Sequence, residues 1–218
     1  MNGSVHIRRI RYAGAGLLLL AATGGPVTAR GDGAVQHVRR ELEAHAVPEA
    51  PAGRIAVCVG QAEREGLPCE ALACRVCEGL AKRVSPEALQ AAVEARAARL
   101  REAHRLLGDA GCPACPRHGE GTRCRCCLLA QALESGVPPQ VFSAILTKPD
   151  AALLARLPAL IEAGEMLHLA GLGAPEIQAF LREGRAGNWN RCKTLDRARE
   201  RVRRVRAAGA QPRGQPPP

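Results

Sequence analysis

Apolar residues return every three to four positions along most of the chain, and glycine and proline break the runs. This rhythm predicts helices near 33–45, 52–65, 69–82, 86–107, 124–135, 139–146, 150–169, 174–184 and 189–206. Ile55, Cys58, Val59 and Ala62 share one such stripe. Ser85-Pro86-Glu87 is a strong helix start, with Ser85 as cap and Pro86 supplying the φ of a first helical residue. Pro149-Asp150 and Ala174-Pro175-Glu176 are weaker versions of it. Ala, Leu, Arg and Glu dominate and β-branched residues are sparse, a helix-forming composition. The expected fold is all-α, with stacked antiparallel helical hairpins and a Cys-rich connecting loop.

An internal echo supports the stacking. Gln61-Ala62 with Gly66-Leu67-Pro68 matches Gln131-Ala132 with Gly136-Val137-Pro138 at a constant offset of 70 residues. In both, a helix ends at a glycine, an apolar residue follows and proline opens the next helix. Leu72 and Phe142 then match, and a fainter copy starts at Gly171-Leu172.

The run Gly66-Leu67-Pro68-Cys69-Glu70-Ala71-Leu72, with Glu78-Gly79-Leu80-Ala81-Lys82 and Val84, resembles a family of uncharacterised exported bacterial helical proteins. Their pattern is G-L-P-x-E-x-L, then E-G-L-A-K-G-V-P-P-E. Arg83 stands where that family has glycine, and Ser85 where it has its first proline. The resemblance implies a helical fold and no activity, and the cysteines are not part of its pattern.

Residues 1–29 read as a secretory signal. His6, Arg8, Arg9 and Arg11 make a basic start, and Gly14–Ala22 is apolar but too short to span a bilayer. Val27-Thr28-Ala29 places cleavage after Ala29. An uncleaved anchor is the alternative. A lipoprotein is disfavoured, since no cysteine follows closely, and the surroundings of Arg8-Arg9 fit a twin-arginine signal poorly. No later segment is apolar enough to cross a membrane, so the expected product is periplasmic or secreted. The rest divides into a first helical half, 30–107, a Cys/Gly/Pro-rich connection, 108–123, a second half, 124–206, and a disordered tail, 207–218.

That compartment changes the reading of the ten cysteines: Cys58, Cys69, Cys74, Cys77, Cys112, Cys115, Cys124, Cys126, Cys127 and Cys192. An even count in an exported chain makes all of them disulfide candidates. Cys58 and Cys74 lie eight residues either side of Gly66. An antiparallel pair of helices around that turn would bridge Cys58 to Cys74 or Cys77, a staple of ~2–4 kcal/mol. Cys112-Pro-Ala-Cys115 and Cys124-Arg-Cys126-Cys127 read as C-x2-C, eight residues, C-x2-C. One reading is a disulfide knot. The other is a tetrahedral zinc or Cu(I) site of Cys112, Cys115, Cys124 and Cys127, with His118 able to replace a thiol. A third reading is a thiol–disulfide oxidoreductase at Cys112-Pro-Ala-Cys115, although no strand precedes it. Neither C-x2-C is followed by His, which argues against covalent haem, and the ferredoxin-like spacing of Cys69, Cys74 and Cys77 lies on a helix.

Aromatic residues are only 2% of the chain, which disfavours stacking platforms for sugars or bases. His37, His45, His104, His118 and His168 are scattered, and Glu162/Glu165 share a helix face without further support as an acid–base couple. No nucleophile elbow or phosphate loop occurs, so no catalytic residue is assigned.

Charge is lopsided. Removing 1–29 takes away three arginines and no acid, so +10 becomes +7. From Arg182 to Arg206 there are ten basic and three acidic residues, which accounts for that entire excess. Arg197, Arg199, Arg201, Arg203, Arg204 and Arg206 surround most of the last helix, with Leu195, Val202 and Val205 as its apolar seam. This points to an anionic partner, either lipid headgroups or an acidic protein, with nucleic acid disfavoured. The alternative is a solvated helix that keeps the chain soluble. The sequence-level conclusion is an exported, disulfide-stapled scaffold or interaction protein without a cofactor, with metal binding and thiol–disulfide exchange as alternatives.

Overall fold

The computed structural model describes residues 33–112 and 124–210, with side chains as far as Ala207. The expected signal, Cys115, His118 and residues 211–218 lie outside the described residues. Among those described, regular structure is entirely helical. The helices are α1 (Ala34–Ala44), α2 (Glu49–Arg64), α3 (Glu70–Ala81), α4 (Pro86–Asp109), α5 (Arg125–Glu134), α6 (Pro139–Leu146), α7 (Ala151–Leu169), α8 (Ala174–Ala186) and α9 (Arg191–Ala210).

The starts follow from capping chemistry. Ser85 Oγ accepts from the Ala88 N–H at 3.2 Å, and Asp150 Oδ1 accepts from the Leu153 N–H at 2.6 Å. The Gly173 N–H donates to Glu176 at 3.0 Å. Helix α2 starts at Glu49, ahead of the expected 52, because Pro51 lies in the first turn, where its missing N–H costs nothing. Helix α9 runs past 206 to Ala210, so the first residues of the expected tail are helical. Ala207 and Ala208, strong helix formers, carry it on.

One helix stop recurs through the fold. At Gly66, the N–H donates to Glu63 O at 3.1 Å, and the next N–H, of Leu67, reaches back to Ala62 O at 2.9 Å. Gly136 and Val137 repeat this with Leu133 and Ala132, and Gly171 and Leu172 with His168 and Leu167. Each of these glycines has φ between +70 and +93°, and the apolar residue after each is buried. The same pair of bonds occurs at Ala46, Arg83 and Asn188, which hold positive φ without being glycine. The device is therefore more widespread than the glycine echo in the sequence.

Pro158 lies inside α7 and cannot donate to the Leu154 carbonyl one turn back. The Arg125 Nε–H of α5 takes that place, donating to Leu154 O at 3.0 Å. An orphan acceptor created by one helix thus docks another.

Helix α1 packs on α2 and α3, and α2 and α3 each pack on α4. Then α4 packs on α5, α5 on α7, α7 on α8 and α9, and α6 on α8. The core is continuous, with Ile55, Val59, Leu72, Val76, Leu100, Leu129, Phe142, Leu157 and Leu160 almost fully buried. At Gly79, an added Cβ would lie 2.5 Å from Leu89 Cδ1, so a side chain there would have to displace Leu89 at the contact of α3 with α4. Helices α2 and α3 are not a principal packing pair. Their stripes turn toward α1 and α4 instead, which removes the face-to-face geometry behind the expected Cys58 bridge.

Candidate functional site

Helix α9 is held to the body by its apolar seam and by the residue ahead of it. Leu195, Ala198 and Val202 are buried, Val205 is half-buried, and α9 lies on α7. Trp189 is 5% exposed and meets Phe180 edge-on, with centroids 5.4 Å apart. Burying one face in this way leaves the other to the arginines. Arg197, Arg199, Arg201, Arg203, Arg204 and Arg206 are all exposed.

Their local ties are uneven. The Arg197 guanidinium lies over the Trp189 ring at 5.4 Å, beside Lys193 at 5.8 Å. Arg199 pairs with Asp196 at 2.8 Å, and Glu200 takes Arg203 at 2.9 Å and Arg204 at 3.0 Å. These are intrahelical surface pairs, of the kind that contributes only ~0.2–1 kcal/mol. They leave the guanidinium groups available to a denser anionic surface. All six arginines of the expected patch are therefore exposed, with Asp196 and Glu200 interspersed among them and Arg197 partly committed to stacking. Asn190, Cys192, Lys193, Asp196, Arg197 and Glu200 line a shallow groove at its start.

The cysteines are dispersed. Cys58, Cys69, Cys74, Cys77 and Cys192 stand as free thiols. Cys58 is half-buried in a groove with Arg54, Glu94 and Arg101, between α2 and α4. Burial pushes its thiol pKa up, against the lowering effect of Arg101. Cys74 is exposed and lines a different groove, with Arg75, Arg96 and Glu134. The bridge from Cys58 to Cys74 or Cys77 is thus absent, for the packing reason given above. Cys69 is buried and its S–H donates to Leu67 O at 3.2 Å; burial raises its pKa to about 11. Cys126 is buried with its S–H directed at Leu100 O, 3.6 Å away.

Cys77 has a partner that the sequence did not reveal. Its Sγ lies 3.7 Å from His37 Nε2 across the α1–α3 contact. Burial pushes the Cys77 thiol up, assisted by Glu41 and Cys74. Only the packing of α1 on α3 brings this pair together, and no spacing rule within one segment finds it.

Of the candidate metal ligands, Cys112 follows the end of α4, Cys124 is the N-cap of α5, and Cys127 lies in the first turn of α5. All three are half-buried. Among the described residues, no three His, Cys, Asp or Glu side chains are placed to hold a metal ion. Glu162 pairs with Arg191 at 2.9 Å, and Glu165 accepts from Ser135 at 2.6 Å and from Gln131. The two acids therefore serve separate interhelical contacts. A further missed tie is Glu134, which receives Arg75 at 2.7 Å and the nearly buried Arg96 at 2.9 Å, joining α3, α4 and α5.

Among the described residues, no helix is long and apolar enough to cross a membrane. No family model matches the chain, and no curated protein or solved structure is significantly similar to it.

Proposed function

We propose that this chain is an exported, non-enzymatic helical scaffold that presents the cationic face of α9 to a surface of anionic lipid headgroups. The observation that carries the reading is the placement of six exposed arginines on one helix whose opposite face is anchored by Leu195, Ala198 and Val202. A lipid surface fits better than an acidic protein. The guanidinium groups spread around a convex helix without a deep cleft or exposed apolar anchors among them, which suits a diffuse field of charge. The hairpins of this reading are the consecutive helices that pack on each other, α1–α2, α3–α4, α4–α5 and α7–α8. The resemblance to exported helical proteins agrees with it. In this reading the disulfide knot draws on Cys112, Cys115, Cys124 and Cys127, and leaves buried Cys126 as the thiol that faces Leu100 O.

The test is cosedimentation with vesicles containing phosphatidylglycerol or only phosphatidylcholine. Truncating the chain before α9 would strip buried Trp189, Leu195 and Ala198, so substitution is the better perturbation. The variant Arg199→Glu/Arg201→Glu/Arg203→Glu/Arg206→Glu should retain its helical circular dichroism and lose binding to the anionic vesicles. Equal binding of the native chain to both vesicle types refutes the reading, as does binding to an acidic protein but to neither vesicle.

A second reading, zinc or Cu(I) at Cys112, Cys115, Cys124 and Cys127, is favoured by one observation. Helices α4 and α5, which Cys112 follows and Cys124 precedes, pack on each other. Stoichiometric metal in protein from its native compartment, lost with structure on chelation, would replace the knot with a metal centre.

A further inference from the structure

Cys74 and Cys77 lie one turn apart on α3, so their side chains share a face. Cys74 is exposed and Cys77 half-buried. On α1, His37 meets Cys77 at 3.7 Å, within reach of a weak S–H···N hydrogen bond. An accessible thiol, a sheltered second thiol and a base against the second are the parts a reversible dithiol needs. We propose that Cys74 and Cys77 form a redox-active pair that takes oxidising equivalents from small-molecule disulfides, with His37 accepting the proton of the resolving thiol.

The steps balance with glutathione disulfide as oxidant. The Cys74 thiol loses its proton to solvent, and its sulfur attacks one sulfur of glutathione disulfide. The S–S bond of glutathione breaks, a Cys74–glutathione bond forms, and one glutathione leaves and is protonated by solvent. His37 Nε2, in the tautomer protonated at Nδ1, then accepts the Cys77 proton. Cys77 sulfur attacks Cys74 Sγ, and the second glutathione departs with the proton held by His37. Two protein thiols are oxidised by two electrons, and one glutathione disulfide becomes two glutathiones.

Burial makes the base necessary, because desolvation, Glu41 and Cys74 all hold Cys77 in its protonated form. Helix geometry makes the bond reversible. Cβ atoms one turn apart are ~5–6 Å from each other, whereas a relaxed disulfide needs about 3.5–4.5 Å. Closing the bond tightens α3 locally, which favours reduction. This site is separate from the α9 surface, and its failure would leave the vesicle result untouched.

The experiment equilibrates the reduced full chain with glutathione buffers, quenches with acid, alkylates the remaining thiols and maps tryptic peptides by mass. Arg75 separates the two cysteines, so the Cys74–Cys77 bond joins peptide 65–75 to peptide 76–82. Cys69 shares the first peptide and should be found alkylated after denaturation. In Cys77→Ser the mixed disulfide on Cys74 should accumulate. In His37→Gln its formation should keep the native rate, while its resolution slows by on the order of 10²-fold. A linked product through Cys69 overturns the proposal, as does independent alkylation of Cys74 and Cys77 in every buffer. Native resolution rates in His37→Gln remove His37 from the mechanism.

Discussion

Arg83 ends α3 with φ +53° and makes the same two back-reaching bonds as Gly66, from its own N–H to Leu80 O and from Val84 to Gly79 O. An L-residue in the left-handed region carries a cost of ~1–2 kcal/mol. Glycine avoids that cost but loses ~0.5–1 kcal/mol more conformational entropy on folding. The difference predicts that Arg83→Gly stabilises the chain by roughly 0.5–1 kcal/mol. Arg83 is exposed, so its side chain gives up little packing. The mirror experiment is Gly66→Ala, where an added Cβ meets nothing within 4 Å. Its cost is then backbone alone, again roughly 0.5–1 kcal/mol but of opposite sign. Urea unfolding followed at 222 nm measures both, with the midpoint moving up for Arg83→Gly and down for Gly66→Ala at unchanged slope. Shifts of the same sign, or a destabilising Arg83→Gly, would refute the argument that one backbone device stops both helices.

Other outcomes follow from particular contacts. Arg125→Met leaves Leu154 O without its donor opposite Pro158 and should cost ~1–3 kcal/mol in urea unfolding, most of it recovered in Arg125→Met/Pro158→Ala. Glu134→Ala strips the nearly buried Arg96 of its carboxylate. With Glu134 itself partly solvated, the loss should be about 2–3 kcal/mol, and Arg96→Met/Glu134→Ala should recover part of it in a double-mutant cycle. The Arg101 hydrogen bond holds the Glu65 carboxyl below its ordinary 4.5, so this contribution to stability is complete above pH 4.5 and disappears as pH falls through the lowered value. Acid titration of Glu65→Gln should therefore show a shallower loss of stability below pH 4.5 than the native chain, while equal slopes would contradict the assignment.

The helices were largely legible because their ends are local chemistry. Ser85, Asp150, Gly66, Gly136 and Gly171 act within a few residues, and their hydrogen bonds match that expectation. Stops at Ala46, Arg83 and Asn188 were hidden, since the backbone adopts positive φ there without glycine to announce it. The exposed basic face of α9 was also legible, because amphipathic spacing alone determines which side a helix buries. Cysteine geometry was not. Symmetry about Gly66 placed Cys58 opposite Cys74, but α1 and α4 take up the packing stripes of α2 and α3. The contact of His37 with Cys77 and the capture of Leu154 O by Arg125 likewise depend on which helices become neighbours, a decision made by the whole core.

The salt dependence of vesicle binding tests the role of α9 most directly. Each basic residue near an anionic membrane contributes about 1 kcal/mol, so reversing Arg199, Arg201, Arg203 and Arg206 should weaken binding by on the order of 10³-fold or more. Native binding should fall steeply as sodium chloride rises, and the variant should show little binding at any concentration. Binding that ignores salt, or a variant that binds as tightly as the native chain, would contradict the account.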